Sequence, residues 1–159
     1  TPFEIMTAKV WANGLVILIA TALSVRLVIQ GLLQVPIAGS VALFLLGTGL
    51  YLFSTTSMGI LLGTVARSMP QLGLLVILVI LPLVLLSGAV TPRESMPQVV
   101  QIIMQAAPTT HFVSLTHAII YRGAGFDVVW PQFVTLVGIG VVFFTTALLW
   151  FRKAITLTG

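Results

Sequence analysis

The chain has 159 residues, of which 58% are hydrophobic and only 6% are charged. A soluble domain covers its surface with charges on about a quarter of its residues, so this composition excludes an ordinary water-soluble globule. Seven basic and three acidic residues do not form a nucleic-acid patch and are typical of loop charges that orient a membrane protein. The absence of cysteine excludes disulfides and thiolate metal sites.

Four apolar segments follow one another along the chain. A helix needs about 20 mainly apolar residues to cross the hydrocarbon core of a bilayer, and the segments that meet this length are 10–29, 41–65, 72–90 and 133–151. None of them shows the alternation of roughly ten residues that is typical of barrel strands. The sequence therefore predicts an all-α integral membrane fold with four transmembrane helices.

A few residues depart from the apolar pattern inside these spans. Arg26 is the one charge within a span; snorkelling to the interface is favoured, and a place on a transport path is the alternative. Gly59 and Gly63 form G-x-x-x-G, which permits close helix approach, and packing within the chain is favoured over a dimer contact. Pro82 predicts a fixed bend, with a hinge as the alternative.

A proline-rich stretch interrupts the chain after the third span. Thr91–Glu94 and Ser95–Gln98 both have the spacing of a capping box. The apolar residues that follow recur at intervals of three and four. This pattern predicts an amphipathic helix over residues 95–107.

Pro108 ends that helix and a second short helix follows. Thr109 or Thr110 can cap a helix over residues 111–122, and Gly123 can stop it. Each short helix is about 18 Å long, whereas the hydrocarbon core is about 30 Å thick. We therefore expect a pair of short outer helices, either re-entrant or interfacial. Such a pair either gates a path or only fixes the ends of the third and fourth spans.

Three stretches of this sequence resemble a known family. The segment Leu86–Phe112 reads L-S-G-x-x-x-P-x-E-x-M-P and then Q-x-x-x-x-x-x-P-T-T-H-F. This pattern resembles the membrane subunits of ATP-binding-cassette exporters of the type-two permease family. The segments HAIIYRGAG (His117–Gly125) and TPFEIMTAKVWANG (Thr1–Gly14) continue the likeness, the latter resembling the family's P-x-x-E-I-x-x-x-K segment.

The resemblance implies a specific place in a larger machine. The chain would be the C-terminal part of a six-span permease, without the first two spans, any external domain and most of the coupling segment. Two permease subunits, identical or different, would enclose the path. Two ATP-binding-cassette ATPase subunits would dock beneath them and hold ATP and magnesium, so no cofactor is expected in this chain.

The resemblance also assigns roles to individual residues. Glu4 and Lys9 match the flank of the cytoplasmic coupling segment; solvated charges on an interfacial helix are the alternative. The residues that match the outer gate are Pro92, Glu94, Met96, Pro97, Pro108, Thr110 and His111.

No constellation of residues indicates catalysis. The two lysines, Lys9 and Lys153, are each beside alanine rather than in a phosphate-binding loop. His111 and His117 lie about 240° apart around a helix, so they do not share a face for a metal, and interfacial hydrogen bonding is favoured. The chain is therefore not expected to be an enzyme.

Basic residues near the span ends predict the orientation of the chain. Lys9, Arg67, Arg152 and Lys153 fall on one side of the membrane, and the remaining three, Arg26, Arg93 and Arg122, fall on the other. The excess places both ends in the cytoplasm.

The expected function is export across the bacterial inner membrane by alternating access. Since few ionisable groups are available, the path would be apolar and suited to amphiphilic or drug-like cargo. A non-transporting membrane anchor or assembly module is the alternative.

Overall fold

The computed structural model describes the backbone of residues 1–158 and the side chains of residues 1–156. Every regular element in this part of the chain is helical. The elements are α1 (Pro2–Ser24) with its π-helical continuation (Val25–Leu32), α2 (Val41–Val65), α3 (Met69–Leu86), a 3-10 turn (Arg93–Ser95), α4 (Gln98–Met104), α5 (Pro108–Arg122) and α6 (Phe126–Thr158). Within the described chain, four helices are long and apolar enough to cross a membrane, which confirms the predicted fold class.

Three membrane helices begin earlier than the apolar pattern alone suggests, and α3 does so only slightly, at Met69 instead of residue 72. α1 starts ahead of the predicted span 10–29, because the Thr1 hydroxyl accepts from the Glu4 amide at 3.4 Å and the Glu4 carboxylate accepts from the Thr1 nitrogen at 2.6 Å. α6 starts at Phe126, ahead of the predicted span 133–151. In α1 and α6 the added turns extend the helix toward the membrane surface.

Both short helices begin at prolines, with Pro97 directly before α4 and Pro108 as the first residue of α5. Met96 and Ala107, which precede Pro97 and Pro108, have extended backbones with ψ of 148° and 129°. A following proline ring excludes the helical conformation at these positions. α4 is therefore only seven residues long, where the sequence predicted a helix over 95–107.

The predicted caps of the short helices are wrong at both starts. The Ser95 hydroxyl donates to the Pro92 carbonyl at 2.7 Å, and neither α4 nor α5 carries a side-chain cap. Thr109 and Thr110 lie inside the first turn of α5 instead of before it. The predicted stop at Gly123 is confirmed, since this residue adopts the left-handed conformation with φ 64° that closes a helix.

Exposed aromatic side chains mark two levels along the bundle. Trp11 and Trp150 lie near one end, which we call the Trp150 end, and Tyr121 and Trp130 lie near the other, the Trp130 end. The roughly 20 residues of α6 between Trp130 and Trp150 rise about 30 Å, the thickness of a hydrocarbon core. These residues therefore behave as the aromatic belts of a membrane protein.

The buried core lies toward the Trp130 end, between α2, α5 and α6. Its residues are all apolar: Val25, Phe44, Leu115, Ile119, Val129, Phe133 and Leu136. α3 contributes no buried residue, so nearly all of its apolar surface is free to contact lipid. The core is thus built by α2, α5, α6 and the π-helical continuation of α1, with α3 at its margin.

α2 and α6 approach each other most closely at small residues. The Ser54 hydroxyl donates to the Leu136 carbonyl across the interface at 2.6 Å. Gly140 faces α2 so closely that a Cβ there would lie 2.5 Å from the Phe53 ring and 2.9 Å from the Ser54 hydroxyl. Small residues permit close backbone approach where lipid supplies no hydrophobic driving force between helices.

Candidate functional site

The pair formed by α4 and α5 descends from the Trp130 end into the middle of the bundle. Ala106, in the turn between the two helices, shares an apolar groove with Gly138 and Val142 of α6. Gly138 lies about eight residues beyond Trp130 and thus about 12 Å deeper. Half of a 30 Å core is about 15 Å, so the turn reaches close to the midplane. The pair is re-entrant, which decides between the two predicted alternatives.

Close contacts with α2 hold α5 in this position. The ring of Phe112 stacks on Tyr51 with centroids 4.3 Å apart and an interplanar angle of 9°. One turn further on, Leu115 is fully buried against Gly47, where a Cβ would lie 2.7 Å from its Cδ1. A side chain on Gly47 would therefore displace α5 from α2.

The linker that precedes α2, residues 33–40, packs against the C-terminal end of α5. The Ala38 amide donates to the Ile120 carbonyl at 3.1 Å. Gly39 lies against the Ile119 carbonyl, where no Cβ fits, and the left-handed Gly123 lies beside the Ala38 carbonyl. α5 is thus clamped along its length by α2 and at its end by this linker.

In the turn between α4 and α5, three backbone amides and one carbonyl find partners within the chain. Three successive amides, from Gln105 to Ala107, donate to carbonyls three residues earlier at 3.1–3.2 Å. The Gln105 carbonyl lies 2.7 Å from His111 Nε2, and the protonated ring nitrogen donates to it. Irregular backbone at membrane depth requires such partners. His111 therefore makes a hydrogen bond, as favoured from the sequence, but at the turn between α4 and α5, where Gln105 is exposed, and not at the interface.

The predicted outer-gate residues fall into two groups. Pro108, Thr110 and His111 lie at the deep turn, where the Thr110 hydroxyl is fully buried and has no partner in the described part of the chain. Pro92, Glu94, Met96 and Pro97 precede α4, which is seven residues long and separates the groups by about 10 Å.

The group before α4 lies beside the middle of α5. Gly88 has φ 96°, and a Cβ there would lie 3.1 Å from Arg93 Cγ and 4.0 Å from Val113 Cγ1. Met96 is buried, and its carbonyl accepts from Gln101 Nε2 at 3.0 Å. The segment is therefore anchored to the bundle at Met96, while Pro92, Glu94 and Pro97 remain exposed.

One predicted coupling residue, Lys9, meets the predicted packing residues in a groove near the Trp150 end, whereas the other, Glu4, does not line it. Lys9 on α1 lines this groove together with Gly59 and Gly63 of α2. A Cβ built on either glycine meets no atom within 4 Å. The packing within the chain that G-x-x-x-G suggested is therefore not observed among the described residues.

The remaining predicted residues, Arg26 and His117, both have exposed side chains. The Arg26 side chain is exposed in the π-helical continuation of α1, toward the Trp130 end. His117 is exposed and packs edge-on against Tyr121 on the same helix, with ring centroids 5.6 Å apart. Within residues 1–156, no three His, Asp or Glu side chains come together as a metal site would require.

Comparison with known proteins identifies this architecture. Residues 1–121 match the family model described as ABC-2 type transporter. The chain is 67% identical over 155 residues to the inner membrane transport permease YhhJ of Escherichia coli (strain K12), covering 98% of this chain and 41% of that protein. No solved structure matches significantly.

A more distant relative supports the same assignment. The chain is 32% identical over 122 residues to the probable multidrug ABC transporter permease YbhR of the same organism, covering 77% of this chain and 33% of that protein. The chain spans about two fifths of the length of the first of these curated relatives. Since the family model matches most of the chain and a 67% identical relative covers nearly all of it, the chain belongs to the ABC-2 type transporter family.

Proposed function

We propose that this chain forms part of the transmembrane subunit of an ATP-driven exporter in the bacterial inner membrane. The subunit moves an amphiphilic or drug-like molecule by alternating access. Family membership carries the proposal, because permeases of this kind are transport subunits. The names of the relatives support it as well: one is an inner membrane transport permease and another a probable multidrug permease.

The energy for transport comes from a separate ATPase subunit. The chain has no phosphate-binding loop in its sequence, so ATP and magnesium bind to the partner. The Trp150 end faces the cytoplasm and the ATPase, and both ends of this chain lie on that side. Glu4 and Lys9, on the first turns of α1, pass the movement of the ATPase to the membrane helices.

The re-entrant pair closes the outer end of the path. Two permease subunits, each contributing such a pair, enclose the path between them. The pair is suited to this role because its turn lies near the midplane and three successive amides of the turn bond within the chain. Few ionisable groups line the bundle, so an apolar or amphiphilic cargo meets little desolvation penalty along it.

Co-purification from native membranes tests this function. The full-length permease should co-purify with a subunit that carries a G-x-x-x-x-G-K-[ST] motif. Deletion of the permease should slow efflux of an amphiphilic dye. As a control, replacing the motif lysine of that subunit should preserve the complex and abolish efflux. A permease that retains no ATPase, and whose deletion leaves efflux unchanged, would instead be an anchor or assembly module.

Substitutions in the segment before α4 test whether the pair of α4 and α5 acts as a gate. Met96→Ala removes a buried side chain at the start of α4, and Glu94→Gln removes the exposed charge beside it. Each should change the efflux rate severalfold while the complex still assembles. Val99→Ala is the matched control, because Val99 is an exposed residue of α4. Equal efflux in all three variants would show that the pair only packs between helices.

A further inference from the structure

A groove opens between α1, α2 and α6 near the Trp150 end. It encloses about 510 Å³, within the range of small-molecule sites. Its lining combines apolar and polar side chains, among them Met6, Lys9, Asn13, Gly59, Gly63 and Phe151. It therefore presents an apolar floor together with a cationic group.

The floor of the groove is open because α2 carries no side chain there. Gly59 and Gly63 lie one turn apart, and a Cβ at either position would meet no atom within 4 Å. By contrast, the space where a Cβ would lie is occupied at Gly47 and Gly140. The nearest side-chain atoms there are 2.7 Å and 2.5 Å, respectively, from the Cβ position. The unfilled glycines thus form a shallow apolar channel along α2.

The charges around the groove are basic. Lys9 lines it, and Arg152 and Lys153 follow Phe151 on α6. The nearest acidic residue in sequence, Glu4, does not line the groove. Lys9 has no ion-pair partner among the described residues. This end of the groove is therefore complementary to an anion.

The level of the groove in the membrane indicates which kind of anion would reach it. Trp11 and Trp150, which mark the membrane surface at this end, are two residues from Lys9 and adjacent to Phe151 in the sequence. Lipid headgroups lie at the level of such aromatic belts. Basic pockets between transmembrane helices at this level attract anionic headgroups.

We propose that this groove binds an anionic phospholipid, with its phosphate at Lys9 and an acyl chain over Gly59 and Gly63. A hydrophobic helix is a poorer occupant, because it would bury the Lys9 ammonium without a partner. The inference does not rest on the proposed export function, since it concerns binding alone.

Native mass spectrometry of the full-length permease tests the proposal with phosphatidylglycerol and phosphatidylcholine as probes. The unmodified protein should retain phosphatidylglycerol more tightly. Lys9→Gln should weaken phosphatidylglycerol about fivefold, the equivalent of about 1 kcal/mol for one basic residue, and leave phosphatidylcholine unchanged. Gly59→Leu should weaken both lipids, because its side chain enters the space of the acyl chain while meeting no protein atom.

Two controls separate this site from non-specific attraction. Arg67→Gln removes a basic residue at the same end but outside the lining of the groove, and Gly138→Leu fills the apolar groove beside Ala106 instead. Neither should change lipid retention. Equal retention of the two lipids by the unmodified protein, or equal loss in Arg67→Gln and Lys9→Gln, would overturn the proposal. Cross-linking of a cysteine at position 63 to another segment of the full-length permease, or to another polypeptide, would overturn it in favour of a protein occupant.

Discussion

Gly140→Leu is expected to separate α2 from α6 and to lower the free energy of unfolding by about 1–3 kcal/mol, as overpacking does in well-packed interiors. Even a Cβ at this position would lie 2.5 Å from Phe53. The Phe53 ring packs against Phe144, with centroids 5.9 Å apart, and the nearby Ser54 hydroxyl is fixed by its bond to the Leu136 carbonyl. Neither neighbour can move away without breaking a contact.

Gly138→Leu is the matched control for this prediction. Gly138 lies on the same helix, but a Cβ there meets no atom within 4 Å. The measurement is the temperature at which half of the purified permease loses its monodisperse peak. Gly140→Leu should lower it clearly, and Gly138→Leu should leave it close to that of the unmodified protein. Equal midpoints for the two variants would show that α2 and α6 do not meet at Gly140.

Leu115→Ala is expected to loosen the re-entrant pair and to destabilise the protein by about 2 kcal/mol. Leu→Ala in soluble cores costs about 2–5 kcal/mol. The low end applies here, because the transfer term is small when lipid is as apolar as the core. Leu78→Ala is the control, since Leu78 lies on α3 and is 64% exposed. Both variants are compared by the temperature at which half of the purified permease loses its monodisperse peak.

A double substitution makes this prediction sharper. Gly47→Ala alone should also destabilise, because its Cβ would lie 2.7 Å from Leu115 Cδ1. Leu115→Ala removes that atom, so the double variant should lose less than the sum of the two single losses. Contacting residues commonly couple by about 0.5–3 kcal/mol. Strict additivity would mean that Leu115 and Gly47 do not touch.

The caps of the short helices show where pattern reasoning fails. The box predicted at Ser95–Gln98 had the right spacing, yet Pro97 holds Met96 in an extended conformation, just as Pro108 holds Ala107 before α5. The Ser95 hydroxyl then bonds backwards to Pro92. The steric effect of proline on its preceding residue outweighed the gain of one side-chain hydrogen bond. Gly123 was predictable because its left-handed conformation requires no partner elsewhere in the chain.

Glycines with similar surroundings in the sequence have opposite surroundings in the fold. Gly59 and Gly63 have the spacing of a packing motif but border an open groove, whereas Gly140 and Gly39, which no motif singled out, lie where a Cβ would collide with a neighbour. Spacing along one helix says only that a close approach is possible. Which helix approaches, and where, depends on the crossing of two helices.

The amino-acid sequence alone determined the helical class, the four membrane spans and the family to which the chain belongs. Hydrocarbon excludes unpaired backbone and requires about 20 apolar residues per span, so these features can be recognised in each segment separately. Only the tertiary structure decided that the pair of α4 and α5 is re-entrant, that His111 bonds the Gln105 carbonyl at the deep turn, and that Lys9 meets Gly59 and Gly63 in one groove. Depth and neighbours arise from contacts between segments far apart in the chain, which the pattern of any one segment does not contain.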